Sequence, residues 1–204
     1  MTSKHQRKFF KTIIFFSSFI PLYWLMYAIY SDTVFGTKLM TADPIQKLDR
    51  DLGDWALIFI ILTLSVSPIA HLFKKKELIT YRRMIGLFAF FYVCLHLISY
   101  IGLNLQLDIN ELIKDIYKRN FITIGLIAFI FLIPLAVTSN KSMIKWIGGK
   151  QWKKLHFMIY PIALLAILHF FMMVRADFFR PLIYLLIIIT LLIYRIWNKY
   201  RQST

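Results

Sequence analysis

Six stretches of this chain are apolar for long enough to cross a lipid bilayer, at residues 12–30, 54–73, 84–103, 121–138, 155–174 and 181–197. Nothing else in the sequence limits the fold as strongly. About 30 Å of hydrocarbon takes close to 20 residues of α-helix at 1.5 Å each. Inside lipid every backbone N–H and C=O has to find a protein partner, so only helices and closed barrels span. Unbroken apolar runs, without the period-2 alternation of a barrel strand, read as helices. The expected fold is an all-α integral membrane protein, a bundle of six transmembrane helices forming one domain over residues 1–204.

The formal net charge of +15 would suit a nucleic-acid-binding protein if the basic residues formed a stripe along one polar element. They sit instead in short clusters between the apolar runs, which punctuates membrane spans and excludes a nucleic-acid surface. The clusters also orient the bundle. Seventeen Lys and Arg fall in the N-terminal tail, the 74–83 and 139–154 loops and the C-terminal tail, against eight in the other three loops. Both termini are therefore expected in the cytoplasm. The basic stretch Lys4, Arg7, Lys8, Lys11 resembles the start of a signal peptide, but the long aromatic-rich run that follows reads as a retained first helix.

Prolines 21, 68, 134 and 161 lie within spans, where they are tolerated and expected to kink helices. Gly148-Gly149-Lys150 reads as a turn before the fifth span, since no strand precedes it to make a phosphate loop. Cys94, the single cysteine, reads as a small apolar helix residue. Trp24, Tyr27, Tyr30, Trp55, Trp197 and Tyr200 read as an interfacial aromatic belt. The largest expected loop, from Ser31 to Gly53, is too short for a second domain.

An ionisable side chain at membrane depth marks a functional site by default. Of the five histidines, His5 belongs to the basic tail and His71 to the membrane boundary beside Lys74-Lys75-Lys76. His96 lies 12 residues past Met84 and His169 lies 14 past Leu155, so both reach roughly 18–21 Å into helices that run the same way. Two neutral imidazoles at matched depth suit the two axial positions of a haem iron. The plain alternative is that each bonds a carbonyl or hydroxyl of a neighbouring helix. His156 precedes His169 by 13 residues, about 20 Å of helix, a spacing that suits a second haem. On a straight helix, though, the two rings would point about 140° apart. Arg82-Arg83 and Trp152-Lys153-Lys154, at the starts of the third and fifth spans, would suit an anionic cofactor group or an acidic donor protein, or simply anchor the helices.

The stretches Asp51-Leu-Gly-Asp-Trp55-Ala-Leu, Arg82-Arg83-Met-Ile-Gly86-Leu, Leu95-His96-Leu-Ile-Ser-Tyr100 and Gly149-Lys150-Gln-Trp152-Lys-Lys-Leu155-His156 resemble the MsrQ (YedZ) family. These are haem-binding membrane subunits of bacterial periplasmic methionine sulfoxide reductase systems, within the ferric-reductase-like transmembrane proteins. The resemblance covers nearly the whole chain. It implies haem b held by the residues matching the family's histidines: His96 and His169 as axial pair, and His156 for a second haem or the site of electron input. It also implies associated FMN, with a cytosolic flavin reductase or quinol as donor. The acceptor would be a periplasmic molybdopterin-containing catalytic subunit, so that this chain carries electrons and does not itself act on the sulfoxide. After the proline near the end of the second span the family commonly has Arg where this chain has His71, so no role of that arginine transfers. From the residues alone, two rivals stand: a ferric or oxygen reductase with another acceptor, and a haem-free transporter using the histidines as a proton relay.

Overall fold

The structure is a computed structural model describing residues 4–203; residues 1–3 and 204 of the expected domain lie outside the described residues. Ten α-helices are described and no strand occurs among the described residues. They are α1 (Lys4–Ser17), α2 (Ile20–Phe35), α3 (Pro44–Leu72), α4 (Arg82–Ser99), α5 (Ile109–Lys118), α6 (Asn120–Val137), α7 (Lys141–Ile147), α8 (Gly149–His156), α9 (Ile159–Met173) and α10 (Phe179–Ser203). Six helical segments are long and apolar enough to cross a membrane: His5–Phe35, Pro44–Leu72, Lys76–Asn104, Asn120–Val137, Gly149–Met173 and Phe179–Asn198.

The spans extend beyond the apolar runs because their polar ends are helical too. Asp43 caps α3 by accepting the N–H of Gln46, and Pro44 occupies the first turn, where its missing N–H costs nothing. The expected Ser31–Gly53 loop therefore shrinks to the few residues between Phe35 and Pro44, with Gly36 at φ 65° closing α2. A short amphipathic helix missed in the sequence, α5, follows a π-turn at Tyr100–Asn104; Asp108 caps it by accepting from the N–H groups of Asn110 and Glu111.

The four prolines divide into two kinds. Pro68 and Pro134 sit inside continuous α3 and α6, whereas Pro21 and Pro161 follow real breaks, between α1 and α2 and between α8 and α9. At the first break the Tyr92 hydroxyl donates to the carbonyl of Ser18 at 2.8 Å, so backbone exposed by the break has a protein partner within the bundle.

Two antiparallel hairpins form the centre: α3 packs along α4, and α6 along α9. They join through α4–α6 and α3–α9 contacts, while α10 lies against α3 and α9. An aromatic knot of Phe59, Phe88 and Tyr92, with Phe19 against Phe88, fills the space between α3, α4 and the break before α2. Large apolar side chains such as Phe16, Leu72 and Leu186 face outward, more than 60 % exposed, as expected where the surrounding solvent is lipid. Trp24, Tyr27, Tyr30, Trp197 and Tyr200 also face outward, each more than half exposed. Trp55 does not: it packs partly buried against the core beside Phe59.

Candidate functional site

The central hairpins bring His96 and His169 together. His96 comes from the last turn of α4 and His169 from α9, and their ring centres lie 6.3 Å apart with the planes at 74°. Each ring is held by the partner helix of its own hairpin. His96 Nδ1 lies 2.9 Å from the carbonyl of Asp49 on α3. His169 Nδ1 lies 2.7 Å from the carbonyl of Phe121 on α6.

The local reason is the same on both sides. Gly53 stands one helical turn after Asp49, and Gly125 one turn after Phe121. A helix normally covers that carbonyl with the side chain one turn on; here no side chain exists. A Cβ on Gly53 would lie 3.3 Å from His96 Cε1, and one on Gly125 would lie 2.8 Å from His169 Nδ1. Each imidazole thus occupies a glycine notch and donates its Nδ1–H to a carbonyl that already serves the helix. That donation fixes both rings as the tautomer with the proton on Nδ1. Neither Nε2 has a hydrogen-bond partner among the described residues. The plain alternative, a histidine merely bonded to a neighbouring carbonyl, accounts for the Nδ1 atoms but leaves both Nε2 atoms unpartnered on rings that line a cavity.

That cavity has a volume of about 830 Å³ and is walled by Leu57, Ile60, Val93, Leu126 and Phe129, with Arg50 and Arg175 at its polar end. Pockets for cofactor-sized ligands run about 300–1,000 Å³. The donor set also fits a haem iron: two imidazoles on opposite sides of one metal, with bonds of about 2 Å each, put their ring centres roughly 6 Å apart. A hydrogen bond from Nδ1–H to a carbonyl is the usual support for a metal-ligating histidine. No group of three or more His, Cys, Asp or Glu able to hold a bare metal ion occurs among the described residues.

His156 is placed elsewhere. It ends α8, stacks on Trp152 at 3.9 Å, and its Nε2 lies 3.1 Å from Thr138 Oγ1. Thr138 gives its own proton to the carbonyl of Pro134, so His156 donates from Nε2 and its free lone pair is on Nδ1. His156 lines a second cavity of about 380 Å³ with His71, Arg82, Trp152, Lys153 and Arg195. The structure thus brings His71 to the same cavity as His156. His71 is exposed, and its Nδ1 accepts from Asn198. One basic residue from each cluster before the third and fifth spans, Arg82 and Lys153, lines it too, and Arg195, unremarked in the sequence, lies over the Tyr160 ring and donates to Ser67. Cys94 is a free, partly buried thiol.

Gly53, Gly125 and Asp49 are the site residues that sequence reasoning missed. Only a glycine falling where a histidine from another helix lands would have flagged them, and that is tertiary information.

The described residues thus form a six-span bundle with one pair of imidazoles, His96 and His169, on its larger cavity and a second pair, His71 and His156, on a smaller basic one. Residues 52–167 match the sequence model of the ferric reductase like transmembrane component, and the chain belongs to that family. Within it, the chain is 39% identical over 202 residues to the protein-methionine-sulfoxide reductase heme-binding subunit MsrQ of Caulobacter vibrioides, covering 99% of this chain and 93% of that protein. The MsrQ of Herminiimonas arsenicoxydans is 45% identical over 168 residues, covering 80% of this chain and 77% of its own length. These place the chain in the MsrQ branch. The magnetosome protein MamZ of Magnetospirillum gryphiswaldense is 42% identical over 188 residues, but the chain spans only 29% of that longer protein.

Proposed function

We propose that the chain is the haem b-binding electron-transfer subunit of a protein-methionine-sulfoxide reductase system, with His96 and His169 as axial ligands of one haem. The observation that carries the reading is the pair of notched imidazoles, 6.3 Å apart, which line one cavity with their Nδ1 atoms tied to carbonyls and their Nε2 atoms without a hydrogen-bond partner among the described residues. A haem bound there would supply one-electron chemistry, and ligation from both sides would keep oxygen off the iron. The chain's own share is to hold the rings, exclude water with the apolar wall, and offer Arg50 and Arg175 to the propionates.

In the same reading the cavity at the other end receives electrons. His156 there serves a second haem or the input itself, and the cationic lining of Arg82, Lys153 and Arg195 supports an anionic group such as the phosphate of FMN. The donor is a cytosolic flavin reductase or quinol. The acceptor is a periplasmic molybdopterin-containing subunit that carries out the sulfoxide reduction. The excess of Lys and Arg on the side of the termini supports a bacterial inner-membrane protein with both termini in the cytoplasm.

A reduced-minus-oxidised spectrum of the purified chain, with iron quantified against protein, tests the reading. The expected result is a low-spin b-type spectrum that His96→Ala and His169→Ala each largely abolish. A colourless protein from haem-replete cells, or full haem in both variants, would overturn it. Co-purification with a molybdopterin protein separates this acceptor from a ferric or oxygen reductase with the same haem.

A further inference from the structure

The two imidazoles sit in equivalent notches but not in equivalent electrostatic surroundings. His169 donates to the carbonyl of Phe121. His96 donates to the carbonyl of Asp49, and the side-chain oxygen Oδ1 of the same aspartate lies 3.2 Å from the same Nδ1. The proton points at the carbonyl, so the carboxylate oxygen falls outside hydrogen-bond geometry. It is buried and has no hydrogen-bond partner among the described residues. The nearby acids are matched differently: Asp51 pairs with Lys47 and Asp54 with Arg180. No Lys or Arg pairs with Asp49 among the described residues. Its charge is therefore directed at the imidazole rather than neutralised by a neighbour.

We propose that Asp49 is a tuning residue of the electron-transfer site: its carboxylate, held against Nδ1 of His96, lowers the reduction potential of the haem that His96 ligates. The inference rests on the haem assignment above. A ligand imidazole beside a carboxylate gains electron density and becomes a stronger donor to the oxidised metal. Independently, a negative charge in a medium of low dielectric favours the more positive, oxidised state. Both effects have the same sign. His169 has no such neighbour on its Nδ1, so the asymmetry between the ligands resides in this one side chain.

Asp49→Asn tests it on the full-length, haem-loaded protein. The substitution removes the charge and keeps the backbone carbonyl that seats the ring. Optical redox titration follows the haem component that His96→Ala removes. Asp49→Asn is expected to shift its ferric–ferrous equilibrium at least tenfold toward ferrous, about 59 mV upward for one electron. Haem content and the low-spin spectrum should stay as in the wild type, and Asp49→Glu should return the midpoint toward it. A retained haem with an unmoved midpoint overturns the proposal. So does loss of haem from Asp49→Asn, Asp49→Ser and Asp49→Glu alike, since that result marks a purely structural role. A wild-type protein without haem fails the underlying assignment instead, and the two failures are distinguishable by the wild-type spectrum alone.

Discussion

Adding one methyl group at Gly125 should dislodge His169, the proposed haem ligand, while strengthening the helix that carries the change. An ideal Cβ at Gly125 would stand 2.8 Å from Nδ1 and 3.0 Å from Cε1 of His169. Non-bonded carbon contacts settle at about 3.5–4.0 Å, so the ring has to retreat by roughly 0.7 Å. Its Nδ1 is already 2.7 Å from the carbonyl of Phe121, and that retreat stretches the bond to the edge of useful geometry. Losing the outer support of a metal-ligating histidine typically costs about 10–100-fold in affinity, roughly 1.4–2.7 kcal/mol. Ala in place of Gly meanwhile favours helix by about 0.8–1.0 kcal/mol, so poorer folding is not the expected cause. Gly53→Ala is the internal comparison: its Cβ would be 3.3 Å from Cε1 of His96, and a few tenths of an ångström relieve it. Haem-to-protein ratios and titration of the haem-depleted protein should rank wild type, then Gly53→Ala, then Gly125→Ala well below. Wild-type haem affinity in Gly125→Ala, or a larger loss in Gly53→Ala, would refute the notch mechanism.

Other expectations follow from the same geometry. If both imidazoles held a haem with their planes still at 74°, low-temperature electron paramagnetic resonance of the oxidised protein should show a single large-g signal; a well-resolved rhombic triplet would mean near-parallel rings. Trp152→Ala removes the surface on which His156 stacks and should slow reduction by an external flavin donor several-fold while the spectrum lost in His96→Ala persists. Labelling of cysteines introduced at Thr37 and Lys145 of a Cys94→Ser chain should divide by side, Thr37 reacting from the periplasm in intact cells and Lys145 only after permeabilisation.

The sequence revealed the span number and the two paired histidines because lipid makes both legible: a run of about 20 apolar residues has few other fates, and a histidine within one is conspicuous. The ends of the helices were harder to read. Asp43, Pro44 and the charged turn that follows look like loop, yet a cap and a first-turn proline make them helix. The amphipathic α5 was hidden by its mixed composition. Gly53 and Gly125 carry no local signal, since a glycine in an apolar helix gains meaning only from the imidazole seated on it. Asp49 likewise reads as one more surface acid until α4 is laid against α3.

The angular objection to His156 is resolved by the chain break. Thirteen residues separate His156 from His169, and thirteen separate Gly125 from Thr138, the residue that caps the C-terminus of antiparallel α6. His169 meets α6 at Gly125 and His156 meets it at Thr138, so both rings face the same helix, although a straight helix would turn them about 140° apart. Pro161 explains how. It has no N–H for the carbonyl of Phe157, which accepts instead from Tyr160 at 3.2 Å in a tightened turn. The break between α8 and α9 falls there and resets the phase. Pro161→Ala should let the two helices fuse, a change favoured by about 3 kcal/mol in helix propensity. His169 stays seated by the notch at Gly125, so its haem should remain. His156 and Trp152 should swing off Thr138, losing the bond from Trp152 Nε1 to the Thr138 carbonyl. The Trp152 contribution to fluorescence, taken as the difference from Trp152→Phe, should then change in intensity as the stacked imidazole departs. An unchanged Trp152 signal in a folded Pro161→Ala protein would show that something other than the proline sets the phase.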